Sequence, residues 1–190
     1  MSMTAFHLNL HLKPLRQGDL DGLCGVYAIL NALQSLLPKA RDTDYLTKLF
    51  DKTIGRIYTI ENIRDGGEEP ELRDVFQFVR RHIARDFKVD MKLTAPFAHV
   101  DDFKRPDEAM QSVFDTEKGG VFVFGFEGFD SHWTVARGLT ANEVILFDSW
   151  EYVTFDRGKF AWSAPKIDIA KSDKIVISPP DLNWISIDRR

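Results

Sequence analysis

The chain has 190 residues, enough for one well-filled core but hardly for two independent domains, and it reads as a single domain over 1–190. It is 44% hydrophobic and 28% charged, with a net charge of −4 from 29 acidic and 25 basic residues, which sets aside a nucleic-acid surface or an anionic membrane as the main partner. A single cysteine excludes an internal disulfide and a four-cysteine zinc site.

A free thiol suits a reducing compartment. Thr4, His7, Asn9 and His11 interrupt any secretory signal, and no stretch approaches the ~20 apolar residues of a membrane span. The expected location is the cytoplasm, with export by a signal-independent secretion system left open.

Residues 5–12 alternate apolar and polar, the period of a half-buried strand. The glycine- and aspartate-rich stretch 17–22 is a loop. A helix is expected over 23–37, where Val26, Ile29, Leu30, Leu33 and Leu37 recur at helical spacing before Pro38. A second helix is expected over 43–54, capped by Asp42 or Thr43. A third is expected over 70–87, with Leu72, Val75, Phe76, Val79 and Ile83 on one stripe, and a shorter one over 107–115. The last third changes character: 121–126, 133–137 and 143–147 are short β-type runs separated by turns, and 152–155 and 174–177 add candidate strands. Helices first and an antiparallel meander afterwards argue for an α+β fold.

Three places carry chemistry. In QGDLDGLCG, Cys24 sits at the predicted start of a helix, where free N–H groups and the positive end of the dipole favour thiolate and are poised to receive an oxyanion. Gly22 and Gly25 would let a substrate backbone approach, and the side-chain amide of Gln17 could reach the same oxyanion. In SHW, His132 opens a strand after a turn; in LFDSW, Asp148 follows an apolar run. A hairpin through the turn near residues 140–142 brings the start of the first strand beside the end of the second, setting Asp148 next to His132. Nucleophile, base and orienter then follow in the order Cys24, His132, Asp148. Trp133 and Trp150 are candidates to shield the His–Asp hydrogen bond or to wall a groove.

With its glutamine ahead of a Cys-Gly helix start, its HW pair and its FDS turn, the sequence resembles the papain-like cysteine peptidase superfamily, and within it the bacterial branch that cuts leader peptides after double glycine. The resemblance implies a helical lobe starting at the nucleophile helix and packed on an antiparallel sheet lobe. It implies Cys24 as nucleophile, His132 as general base and acid, Asp148 as orienter and Gln17 as oxyanion donor, with a peptide or protein substrate and no cofactor or metal. The Gln-to-Cys interval is seven here against the usual six, and Ser149 follows the aspartate where the branch has proline. Residues 38–118 carry no recognisable motif and read as a helical insertion or lobe that supplies a cleft wall.

The same thioester chemistry also serves a glutamine deamidase or a transglutaminase-like toxin or effector acting on a protein partner, and a non-catalytic binding module could keep the fold. His7 and His11 fit a solvated strand face better than a metal pair, and Arg80, Arg81, His82 and Arg85 read as a solvated helix face.

Overall fold

The computed structural model describes residues 12–18, 22–57, 69–96, 103–163 and 173–189. The strand expected over 5–12, with His7 and His11, lies almost wholly outside them, as do Asp19 and Asp21.

The first helix, α1, spans Cys24–Leu36, so the cysteine is its first residue. A short 3-10 turn, Pro38–Ala40, ends it, as the missing N–H of Pro38 dictates. Helix α2 spans Thr43–Ile57; Asp42 is its cap, accepting the Tyr45 N–H at 2.8 Å. Helix α3 runs Glu69–Phe87 and buries the whole expected stripe. These three helices share one core with α1's apolar face. Helix α4, Pro106–Thr116, starts with proline in its first turn.

Among the described residues eight strands follow or intervene: β1 Val89–Thr94, β2 Gly120–Phe126, β3 His132–Leu139, β4 Glu143–Leu146, β5 Thr154–Asp156, β6 Phe160–Trp162, β7 Ile175–Ile177 and β8 Leu182–Arg189. Six of them form one antiparallel sheet in the order β1-β8-β2-β3-β4-β5, and β6 and β7 form a small parallel pair. The sheet is therefore more than a meander. Its second and first strands in that order are the C-terminal strand and a strand from between the helices. The stretch 38–118 is likewise not purely helical, since it contributes β1 to the sheet and α4 to its far side.

The sheet separates two apolar clusters. Val121, Val123, Trp133, Val135 and Ile185 face α1, α2 and α3. Phe122, Phe124, Phe126, Ala136, Leu182 and Trp184 face α4 and the β6–β7 pair. Strand period two accounts for the split, and β2, covered on both faces, is buried along its whole length. Gly120 is needed at the start of β2, because a Cβ there would lie 2.3 Å from the Trp184 ring. The helical lobe is thus laid on one face of the sheet, with the N-terminus of α1 and the start of β3 as the two structural landmarks of the site.

Candidate active site

Cys24 is partly exposed at the start of α1. The N-cap residue, Leu23, makes no side-chain cap, and no acidic residue lies in the first turn, so among the described residues nothing on the helix neutralises its positive end. The first bonded amides are those of Val26 and Tyr27, both donating to the Leu23 carbonyl at 2.9 and 3.1 Å. Among the described residues the amides of Cys24 and Gly25 have no acceptor. Gly25 has a packing role. A Cβ on it would meet Leu72 Cδ1 at 3.3 Å and Trp133 Cδ1 at 3.9 Å, so its smallness serves the packing of α1 against α3 and β3.

The hairpin of β3 and β4 pairs Ala136 with Leu146, and the Phe147 amide extends it by donating to the Val135 carbonyl at 2.9 Å. Continued along the strands, that register sets Asp148 across from Thr134, two residues from His132 and on the same face. The side chains meet: His132 Nε2 lies 2.9 Å from Asp148 Oδ2, with both residues buried, 2% and 1% exposed. The other carboxylate oxygen accepts the Trp150 N–H at 2.7 Å and the Tyr152 N–H at 3.3 Å, so Asp148 also builds the turn that follows it. Glu151 completes that turn at φ 71°, a conformation costing about 1 kcal/mol for a residue with a Cβ. The Trp150 indole lies over the imidazole, with ring centres 4.5 Å apart and planes 19° from parallel.

With the carboxylate on Nε2, Nδ1 is the ring's remaining nitrogen. Nδ1 is buried and has no fully formed hydrogen bond among the described residues. Burial works against the charged imidazole, but its hydrogen bond to Asp148, the interaction with Cys24 and the charges of both outweigh it and raise the His132 pKa to about 9. Burial likewise opposes ionisation of Asp148, and the bond and charge of His132 outweigh it, holding the carboxyl below its usual range. Cys24 thus influences the ring without a fully formed hydrogen bond, a looseness common in resting sites.

Gln17 is tied to the turn after Asp148 by its backbone, whose N–H donates to the Ser149 carbonyl at 3.2 Å, and Arg16 forms an ion pair with Glu151 next to it. Arg16, Gln17 and Gly18 on one side and Ser149 to Tyr152 on the other line a cavity of about 560 Å³.

Of the two tryptophans, Trp150 covers the His–Asp pair, whereas Trp133 is buried in the helix-facing core across from Gly125. Sequence reasoning missed Asp130 and Tyr152. The Tyr152 hydroxyl donates to Asp130 Oδ2 at 3.4 Å and ties the loop before His132 to the loop after Asp148. The aspartate in the FEGFD turn is the one signal of this contact. The basic cluster on α3 is engaged locally, with Arg80 on Asp90 and Arg85 on Asp86. Among the described residues no group of three His, Cys, Asp or Glu side chains could hold a metal ion, and no helix is long and apolar enough to cross a membrane.

Three helices on one face of an antiparallel sheet, with a cysteine at a helix start and a histidine at a strand start, make this an α+β fold of papain-like type. Among solved structures it is similar to the peptidase domain of Streptococcus ComA, a bi-functional ABC transporter involved in a quorum sensing pathway. The two share 13% sequence identity at a TM-score of 0.50, over 95% of this chain and 100% of that one. No family model and no curated protein matches the sequence.

Proposed function

We propose that the chain is a cysteine hydrolase that cleaves peptide or isopeptide bonds, with Cys24 as nucleophile, His132 as general base and acid, Asp148 as orienter and Gln17 as oxyanion donor. The observation that carries this reading is the buried 2.9 Å hydrogen bond from His132 Nε2 to Asp148, on an imidazole that also interacts with the cysteine opening α1. The likeness to the ComA peptidase domain supports a peptide substrate, and the Cys-Gly, HW and FDS blocks support the leader-peptidase-like branch.

Each residue's task follows from its place. Asp148 accepts from Nε2, and with its pKa raised to about 9 the ring already holds a second proton on Nδ1 near neutral pH, an imidazolium paired with the cysteine sulfur. The Cys24 sulfur attacks the substrate carbonyl carbon. The resulting oxyanion meets the Cys24 N–H, which the uncapped helix leaves available, and the Gln17 side-chain amide. Nδ1 then returns its proton to the leaving amine as the C–N bond breaks. Water, activated by the same nitrogen, hydrolyses the thioester and restores the thiol. Trp150 keeps solvent off the imidazole throughout. A reducing compartment such as the cytoplasm keeps the nucleophile competent.

The test is alkylation and cleavage together. Iodoacetamide labels Cys24 near neutral pH at least about tenfold faster than it labels free cysteine. A peptide library read by mass spectrometry is cut by the wild type and not by Cys24→Ala. Labelling at the rate of free cysteine, or cleavage that survives the substitution, refutes the reading.

A further inference from the structure

Residues 12–18 lie against the helical lobe without belonging to a helix or a strand, and a stretch of backbone pressed on a core needs partners for its amides and carbonyls. Asn31 supplies them at Leu15. It is fully buried in the middle of α1. Its Oδ1 accepts the Leu15 N–H at 2.7 Å and its Nδ2 donates to the Leu15 carbonyl at 3.3 Å, so one side-chain amide satisfies both backbone groups as a neighbouring strand would. Asparagine is a poor residue for a helix interior, and a buried amide costs stability unless it is bonded, so helix formation does not explain its place in this apolar helix. The Leu15 side chain packs on the same core.

Two residues further on, the Gln17 N–H binds the Ser149 carbonyl, and Arg16 pairs with Glu151. The segment is therefore fastened to the helix that begins at Cys24 and to the turn that Asp148 builds. A helix is a rigid ruler: seven residues from Cys24 to Asn31 amount to about 10.5 Å along the axis and about 20° short of two full turns, so both side chains leave one face. We infer that Asn31 is a positioning residue for the oxyanion site, setting where Gln17 lies relative to Cys24 by holding Leu15 in register on α1. The inference rests on the proposed role of Gln17.

Two probes separate the oxyanion site from the nucleophile. Acylation of Cys24 by p-nitrophenyl acetate passes through an oxyanion; alkylation by iodoacetamide does not. Wild type, Gln17→Ala, Asn31→Ala, Asn31→Asp and the Gln17→Ala double variants are compared by both rates and by thermal midpoint. Asn31→Asp keeps the acceptor for the Leu15 N–H and loses the donor to its carbonyl, and it carries the test if the alanine variant does not fold. In the wild-type background the Asn31 substitutions lower acylation about tenfold or more and leave alkylation within about twofold. In the Gln17→Ala background the same substitutions change acylation by less than about twofold, while the drop in thermal midpoint persists. Equal losses of acylation in both backgrounds overturn the inference, as does a Gln17→Ala variant that acylates like wild type. Wild-type rates no faster than those of free cysteine overturn the hydrolase reading itself, an outcome distinct from either.

Discussion

The two elements that meet at the site are built on opposite terms. At the start of α1 the backbone is left open: no capping side chain, no first-turn carboxylate, and the Cys24 and Gly25 amides without an acceptor among the described residues. At the Asp148 turn almost everything is closed. One carboxylate receives the His132 ring and the amides of Trp150 and Tyr152, an indole covers the imidazole, and Arg16 and Gln17 latch on from outside. The difference fits the roles proposed for the two ends. A base must be aimed before substrate arrives, so its orientation is over-determined; donors meant for a transient oxyanion have to be kept free of the protein's own acceptors.

The hardest blow to this asymmetry is Asp148→Asn. The amide can still offer an oxygen to the Trp150 N–H, so the turn survives, but its NH₂ then faces His132 Nε2. The imidazole must give up its Nε2 proton and hold one on Nδ1, the wrong place to accept from a thiol. Turnover falls about 10³-fold or more, while the thermal midpoint drops by only a few degrees. Turnover within tenfold of wild type in steady-state kinetics would remove Asp148 from its assigned role.

Next in size is a pH effect that couples the two ends. The His132 pKa is raised to about 9 from 6.5, so the stability gained from its charged form is fully present below the unfolded value and is lost as pH rises through about 9. Asp148 is lowered, so its contribution is present above the ordinary carboxylate range and disappears in acid, as pH falls through the depressed value. Chemical denaturation from about pH 6 to about pH 10 therefore shows a wild-type loss on the order of 2 kcal/mol that His132→Gln lacks. Cys24 contributes to holding the ring charged, and Cys24→Ala accordingly titrates His132 at a lower pH in NMR spectra. An unchanged midpoint in that variant would mean that the open end and the closed end are not in communication.

The same contrast governs how much the sequence reveals. The open end is legible because its message is local: an apolar stripe at helical spacing beginning two residues after a lone cysteine. The hairpin is legible too, since the β3 and β4 runs are adjacent in sequence and leave His132 and Asp148 at facing ends. Strands β1 and β8 are another matter. VDMKLT alternates strictly, yet its partner is the last strand of the chain, and β8 itself lies between β1 and β2. Pairings of such long range leave no mark in either segment alone. The closed end is legible only in part. Asp148 shows as a residue after an apolar run, but the turn it organises places Glu151, and not glycine or asparagine, at positive φ, and nothing in DSWEY announces a stacked Trp150. Asn31 hides for the opposite reason: one polar residue inside an apolar helix pattern reads as an imperfection of the stripe until its partner, Leu15, is seen.

Trp150→Ala probes the mildest layer of the closed end. The backbone N–H that binds Asp148 survives the substitution, so the turn and the His132–Asp148 bond should persist. What goes is the indole over the imidazole. Trp150 is itself 40% exposed, so its removal forfeits less burial than a core aromatic would, and stability changes by no more than about 1 kcal/mol. Water then reaches the buried hydrogen bond, whose strength depends on the low dielectric around it, and turnover falls about tenfold with the His132 pKa moving back toward its ordinary value. Trp150→Phe keeps a flat apolar cover and recovers most of the rate. If alanine and phenylalanine behave alike, the closure of this end lies in the carboxylate and its three donors alone, and the stacked ring belongs to the rim of the cavity that Arg16, Gln17 and Tyr152 share with it.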